Sequence, residues 1–110
     1  MTILAPLFGF PPPPVDAPDL SVVVPMYNEE GNADTLIREI AAAIADLNAE
    51  IIAIDDASSD KTKALLVDLK EDVPVLRVLA HEKNAGQSRA VRTGILGARG
   101  KAIATRDGVG

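Results

Sequence analysis

Short apolar runs alternate along the chain with segments in which apolar residues recur at helical spacing. The apolar runs cover residues 20–24, 50–55, 75–79 and 101–105. Their β-branched, aliphatic character on both faces is typical of buried parallel strands. The helical segments between them cover residues 32–48, 61–70 and 87–97. The pattern therefore predicts a βαβαβαβ fold of the α/β class, a parallel sheet with helices on both faces.

Local signals set the expected limits of these elements. Pro25 is expected to end the first strand, Asn32 to cap the first helix and Asp60 to cap the second. The apolar stripe of the first helix is Leu36, Ile37, Ile40, Ile44 and Leu47. Gly94 lies inside the third helix, where glycine is unfavourable. Close packing of that helix on a strand would be a reason for a glycine there.

Composition narrows the classes of function. With 110 residues the chain is one domain at most, and its 3% aromatic content requires an aliphatic core. A net charge of −5 without a basic block argues against nucleic-acid binding. With no cysteine and the single His81, a metal would be held by carboxylates, which favours Mg²⁺ or Mn²⁺. The absence of a long apolar run or a basic leader indicates a cytoplasmic chain.

Residues 1–18 are predicted to be a disordered, proline-rich leader. Four consecutive prolines at positions 11–14 favour an extended polyproline II segment and cannot join a sheet. A ligand for a proline-recognising domain is the alternative interpretation. The folded part is expected to begin near Asp19.

Polar residues follow the predicted strands where their carboxyl ends should meet, at residues 27–30, 55–58 and 107. Ligands of open α/β sheets bind at this edge. The adjacent Asp55 and Asp56 therefore indicate an acidic ligand site. A solvated turn followed by the helix cap at Asp60 would explain the same residues.

Two nucleotide-binding motifs and one signalling fold can be set aside. The loop after the first strand reads Pro-Met-Tyr-Asn-Glu-Glu-Gly, which is neither the glycine-rich dinucleotide fingerprint nor a P-loop. A divalent cation between a phosphate and Asp107 would still permit phosphate binding. A phospho-receiver domain would need an acceptor Asp after the third strand, where this chain has Leu79-Ala-His81.

Three segments, at residues 21–29, 50–62 and 84–90, closely resemble the inverting family 2 glycosyltransferases, above all the dolichyl- and undecaprenyl-phosphate sugar transferases. The resemblance covers about residues 19–110. It implies a Rossmann-like GT-A fold of which this chain is the N-terminal, donor-binding half. It also implies a GDP- or UDP-sugar donor, a lipid-phosphate acceptor, and Mg²⁺ or Mn²⁺ on an Asp-x-Asp motif.

The resemblance also assigns residues to the nucleotide-sugar site. These are Pro25, Tyr27, Asn28, Glu29, Asp55, Asp56, Asn84 and Gly86. Asp56 matches the carboxylate that accepts a hydrogen bond from the base, and Asp55 is its structural neighbour. Tyr27 suits packing beside a base. Asp107 matches the metal ligand.

The chain departs from the family pattern at the metal motif, which reads Asp107-Gly108-Val109 and lacks its second carboxylate. No residue matches the catalytic base. A truncated, non-catalytic fragment or nucleotide-binding half-domain is therefore the alternative function. Such a fragment would reach a membrane only through a partner or a missing portion. It would leave strand 101–105 as an unpaired edge, which predicts self-association.

Overall fold

The computed structural model describes residues 16–107 and the backbone of residues 2–4. The strands are β1 (Thr2–Leu4), β2 (Leu20–Met26), β3 (Ala49–Asp55), β4 (Leu76–Ala80) and β5 (Ala102–Thr105). The helices are α1 (Ala33–Ala43), α2 (Thr62–Leu69) and α3 (Gln87–Gly97). No helix in these two ranges is both long and apolar enough to cross a membrane.

The strands form one sheet in the order β1-β5-β2-β3-β4. β5, β2, β3 and β4 run parallel, and β1 is antiparallel to β5. The predicted βαβαβαβ order of residues 20–105 is confirmed. The strand order reverses at β2, because β3 and β4 extend the sheet on one side of it and β5 on the other.

The core has two layers because alternate strand residues face opposite sides of the sheet. Val22, Val24 and Ile51 pack under α1 and α2. Val23 and Ile54 pack on the other face, against Ala90 of α3. The helices therefore cover both faces, as the sequence pattern predicts.

Gly94 permits α3 to lie close to the sheet. A Cβ atom at this position would overlap Val23 Cγ1 and would lie 2.6 Å from Ile54 Cδ1. The predicted reason for a glycine inside the helix is confirmed. This close contact fixes α3, and with it the loop that precedes the helix.

The prediction of an unpaired edge at strand 101–105 is wrong. Thr2–Leu4 pairs with β5 on the side away from β2, with Ile3 opposite Ala104. An unpaired strand at this edge was the reason to expect self-association, and β1 covers that edge. Self-association therefore stays a prediction without this reason. The predicted disorder of residues 1–18 is wrong for Thr2–Leu4 and for residues 16–18, where Ala17 is buried and Pro18 O accepts from Lys101 N. Residues 1 and 5–15 lie outside the described part of the chain.

Pro25 does not end the first strand, because β2 continues to Met26. Val23 O accepts a hydrogen bond from Arg106 N, so Val23 and Pro25 direct their backbone groups towards β5. Since β5 ends at Thr105, opposite Val23, no ladder hydrogen bond is lost at Pro25.

The first helix ends earlier than predicted, at Ala43, and a turn leads from it into β3. Leu47, which the sequence pattern includes in the apolar stripe of this helix, lies in the turn and is 55% exposed. Helical periodicity continues past the true end because apolar residues of a turn can fall at the same spacing.

Candidate functional site

A cleft of about 350 Å³ opens at the carboxyl ends of the parallel strands. It lies where the strand order reverses at β2, which is the usual ligand position in an open α/β sheet. The residues that line the cleft are Pro25, Met26, Tyr27, Glu29, Asp56, Asn84, Gly86, Gln87, Ala90 and Asp107. Polar loops after β2, β3, β4 and β5 therefore converge on one space.

Seven of the nine residues predicted for the site line this cleft, and the other two, Asn28 and Asp55, do not. Sequence reasoning missed Met26, Gln87 and Ala90. Met26 was missed because the resemblance assigns no role to this apolar residue, although it lies between Pro25 and Tyr27. Gln87 and Ala90 are one helical turn apart at the start of α3, and their proximity to Gly86 is the signal that could have found them.

Asn28 holds the first loop of the cleft against the loop after β3. Its backbone is left-handed, with φ of 51°, a conformation that asparagine tolerates better than most residues. Asn28 N donates to Ser58 Oγ at 2.9 Å, and Asn28 Oδ1 accepts from Ser59 N at 2.8 Å. Asn28 therefore supports the wall of the cleft and does not face its interior.

The connection between the loops after β2 and β3 continues through Glu29, Glu30 and Asp60. Glu29 N donates to Thr62 Oγ1 at 2.8 Å, and Glu30 N donates to Asp60 Oδ2 at 3.3 Å. The prediction that Asp60 caps α2 is wrong, because the helix begins at Thr62 and its N-cap is Lys61. Asp60 Oδ1 instead accepts from Thr62 N at 2.9 Å, in the turn that precedes the helix. Burial opposes ionisation of Asp60, but the hydrogen bonds from Thr62 and Glu30 lower its pKa.

The two adjacent aspartates have different surroundings. Asp55 is 2% exposed and belongs to the strand positions that face α1 and α2. Its Oδ2 accepts from Ser58 N at 3.4 Å, and its Oδ1 makes no hydrogen bond within the described part of the chain. Asp56 is also buried, at 3% exposure, but it borders the cleft. The structure therefore separates a pair that the sequence presents as one feature.

Asp56 binds the loop that forms the opposite wall of the cleft. Its Oδ1 lies 2.7 Å from His81 Nδ1 and accepts from Ala85 N at 2.9 Å. Its Oδ2 accepts from Gly86 N at 2.8 Å. Asn84 Nδ2 donates to the Asp56 carbonyl oxygen at 3.2 Å. The chain from Asn84 to Gly86 is therefore attached to the end of β3.

These contacts keep Asp56 ionised. Burial alone would raise the pKa of the Asp56 carboxyl. The hydrogen bonds from His81 and from the Ala85 and Gly86 N–H groups outweigh burial and lower that pKa. Of roughly four acceptor positions on a carboxylate, three are occupied. Asp56 can therefore accept about one further hydrogen bond, and it cannot donate.

His81 is a functional candidate that sequence reasoning considered only as a metal ligand. Its second ring nitrogen, Nε2, lies 2.7 Å from Thr93 Oγ1 of α3. β3 and β4 are neighbours in the sheet, so residues just after their ends lie side by side. That adjacency is the signal that connects His81 with Asp56.

Gly86 forms the turn into α3. Its φ of 92° is accessible to glycine and strained for other residues. Gly86 N donates to Asp56, whereas Gly86 O accepts from Ala90 N and so starts the helix. The first turn of α3 is therefore held at the border of the cleft.

Asp107 is exposed and lines the cleft on the β5 side. Within the described ranges, no group of three or more His, Cys, Asp or Glu side chains could hold a metal ion. Asp107 therefore offers one carboxylate to a cation and no preformed cage. Val109 lies outside the described residues.

Comparison with known proteins identifies relatives of the chain. Residues 21–108 match the family model described as Glycosyl transferase family 2. Dodecaprenyl-phosphate galacturonate synthase of Rhizobium johnstonii is 40% identical over 101 residues, which cover 86% of this chain and 29% of that protein. Dolichol-phosphate mannosyltransferase of Pyrococcus furiosus is 36% identical over 88 residues, which cover 80% and 25%. The chain thus spans less than a third of the length of either relative.

Solved structures share the fold. Mannosyltransferase PcManGT from Pyrobaculum calidifontis, solved in complex with GDP-Man and Mn²⁺, superposes with a TM-score of 0.74 at 25% identity. The match covers 91% of this chain and 30% of PcManGT. S. aureus TarS 1–349, solved in complex with UDP-GlcNAc, gives a TM-score of 0.71 at 24% identity over 82% of this chain and 26% of TarS.

Proposed function

The chain belongs to glycosyl transferase family 2 and has the GT-A fold, and from this premise we propose that its cleft binds the nucleotide of a nucleotide-sugar donor. The sugar is then transferred to a lipid-phosphate acceptor. One observation carries the proposal. Residues from four separate loops, assigned to the donor site by resemblance, line a single cleft. The roles of the individual residues are part of the proposal.

Asp56 supplies the chemistry that selects the base. As an ionised carboxylate with about one acceptor position left, it pairs with a ring N–H group and repels a ring nitrogen that is itself an acceptor. Uracil and guanine carry such an N–H group, whereas adenine and cytosine present an acceptor nitrogen there. Tyr27, which is 48% exposed, offers a ring face against which the base packs. A UDP- or GDP-sugar is the expected donor.

A divalent cation is part of the proposal, with Asp107 as its protein ligand. PcManGT, with which this chain shares its fold, is solved with Mn²⁺ and GDP-Man. Such a cation neutralises the diphosphate charge when it is bound. The residues fit a weak site, because Asp107 supplies one carboxylate and Val109 supplies none. Most ligands of Mg²⁺ or Mn²⁺ would then come from the diphosphate and from water.

The proposed acceptor is supported by two relatives, a dodecaprenyl-phosphate galacturonate synthase and a dolichol-phosphate mannosyltransferase. We propose a polyprenyl phosphate for this chain too, at the cytoplasmic side of a membrane. Inverting transfer also needs a carboxylate base near the acceptor. No residue of the cleft is assigned that role. Asp56 is occupied by the protein, and in this proposal Asp107 faces the diphosphate and Glu29 belongs to the nucleotide site.

Nucleotide binding without transfer is the second candidate function. The replacement of the second metal-motif carboxylate by Val109 favours it. Incubation with radiolabelled UDP- or GDP-sugars and dolichyl phosphate distinguishes the two. Repeated turnover supports transfer, and nucleotide binding without labelled lipid supports binding alone.

Calorimetric titration with UDP, GDP, CDP and ADP, with and without Mn²⁺, tests the proposed site. UDP or GDP is expected to bind at least about tenfold more tightly than CDP and ADP, since a lost charged hydrogen bond costs about 1.5–3 kcal/mol. Asp56→Asn should remove this preference, and the exposed Asp46→Asn, after α1, should retain it. No binding heat with any nucleotide would refute the proposal.

A further inference from the structure

We propose that His81 and Thr93 are positioning residues that hold Asp56 and the Asn84–Gly86 wall in their binding geometry. The inference rests on the proposed nucleotide site and extends it to two residues outside the lining of the cleft. His81 follows β4, and Thr93 lies in α3. Together they connect the end of the sheet with the helix that begins at the cleft.

The contacts form a continuous chain of hydrogen bonds. His81 Nδ1 lies 2.7 Å from Asp56 Oδ1, and His81 Nε2 lies 2.7 Å from Thr93 Oγ1. The side chains of His81 and Asp56 are only 18% and 4% exposed. If one partner is removed, water therefore cannot easily enter and replace the lost hydrogen bond.

The ionised state of Asp56 determines the direction of each hydrogen bond. A carboxylate only accepts, so His81 Nδ1 carries a proton and donates it. In the neutral imidazole, Nε2 then accepts from the Thr93 hydroxyl. In the imidazolium, Nε2 donates and the same hydroxyl accepts. Thr93 can satisfy His81 in either state because a hydroxyl has both a donor and acceptor lone pairs.

The order carboxylate, imidazole, hydroxyl also occurs in nucleophilic triads, but a positioning role fits this geometry better. A nucleophile must contact its substrate, and neither Thr93 nor His81 lines the cleft. Both lie beyond Asp56. They act on a ligand only through that carboxylate and through the loop that it binds.

The two carboxylate oxygens of Asp56 bind both His81 and the loop that forms the wall of the cleft. The oxygen that contacts His81, Oδ1, also accepts from Ala85 N, and the other accepts from Gly86 N. Without His81, the carboxylate can rotate, and both amides lose the fixed acceptor that holds them. Asn84, Gly86 and Gln87 would then shift as one wall of the cleft.

Thr93→Val tests the inference, because it replaces the hydroxyl by a methyl group of similar shape. His81→Phe removes both contacts, Thr93→Ser restores the hydroxyl, and the exposed Glu82→Gln is the matched control. Hydrogen exchange at the Ala85 and Gly86 amides, measured by NMR on the full chain, reports the loop directly. Calorimetry with UDP and GDP reports binding.

In Thr93→Val and His81→Phe we expect exchange at both amides to accelerate about tenfold and nucleotide binding to weaken about tenfold, on the scale of one lost hydrogen bond. Thr93→Ser and Glu82→Gln should match the native chain. Unchanged amide exchange in Thr93→Val, or loss of protection in Thr93→Ser equal to that in Thr93→Val, would overturn the inference. If the native chain binds no nucleotide, the proposed function fails, and amide exchange still decides whether His81 and Thr93 position the loop.

Discussion

Ser21 lies directly opposite Glu50 in the β2–β3 register, and its hydroxyl donates a 2.6 Å hydrogen bond to Glu50 Oε2. Both side chains are buried near the starts of their strands, at the edge of the sheet opposite the cleft. Glu50 also accepts from Arg77 Nη1 at 2.9 Å and from Arg99 N at 2.8 Å. Gly100 N donates to Ser21 Oγ at 2.8 Å. This network connects β2, β3 and β4 with the turn before β5.

The Glu50 network should make stability depend on pH. Burial alone would raise the pKa of Glu50, but the hydrogen bonds from Ser21, Arg99 N and Arg77 outweigh it and lower the pKa. A group whose pKa is lower in the folded state stabilises the fold above its unfolded pKa. That stability is lost as the pH falls through the folded pKa. Unfolding by urea between pH 7 and pH 3 should show this loss below about pH 4.5.

Glu50→Gln should reduce the free energy of unfolding at pH 7 by about 1–3 kcal/mol and flatten its decline in acid, because the amide cannot accept all three hydrogen bonds. Glu39→Gln, on the exposed side of α1, is the control and should leave both features unchanged. Equal pH profiles for the native chain and Glu50→Gln would contradict this prediction.

Gly94→Ala should destabilise the fold by about 1–3 kcal/mol through overpacking. The new methyl group would meet Val23, whose branched side chain is fully buried and cannot rotate away. Gly31→Ala is the same chemical change where no atom lies within 4 Å of the added carbon. Thermal unfolding of the two variants provides the comparison. An unfolding midpoint for Gly94→Ala equal to or above that for Gly31→Ala would show that α3 can move away from the sheet at little cost.

Asn28 should be replaceable by aspartate but not by alanine. Alanine loses the acceptor for Ser59 N and must adopt φ of 51°, which together should cost about 2 kcal/mol. Aspartate keeps an acceptor and tolerates this backbone. Asn28→Gly relieves the backbone strain but not the lost hydrogen bond, so it should lie between the two in urea unfolding. If glycine proves as destabilising as alanine, backbone strain contributes nothing measurable at this position.

Residues with strong local patterns were predictable from sequence. β3 lies within one residue of its predicted range, and α3 matches its own at both ends. The carboxyl ends of parallel strands share one edge of the sheet, so the sequence pattern also predicts that Tyr27, Asp56 and Asp107 meet at one cleft. The pattern alone predicts this much.

Other features depend on contacts distant in sequence and were not predictable. Pairing of Thr2–Leu4 with β5 joins segments far apart in the sequence, and three residues are too few to show a strand pattern. The environments of Asp55 and Asp56 differ because Asp56 alone contacts His81 and the amides of Ala85 and Gly86, which lie far along the chain. Adjacent strand ends indicate that His81 and Asp56 lie near each other. That their side chains face each other is encoded by no local spacing.

Val109→Asp should strengthen the effect of Mn²⁺ on nucleotide binding. The substitution restores the Asp-x-Asp pattern that the resemblance implies, and it adds a second hard oxygen ligand to that of Asp107. Calorimetry with UDP and GDP at matched Mn²⁺ concentrations should show affinity at least about tenfold higher than in the native chain, equal to about 1.4 kcal/mol. The double variant Asp107→Asn, Val109→Asp separates metal binding from added charge, and it should lose the gain. If Val109→Asp weakens nucleotide binding in Mn²⁺ as much as it does in EDTA, the added carboxylate repels the diphosphate and does not bind the metal.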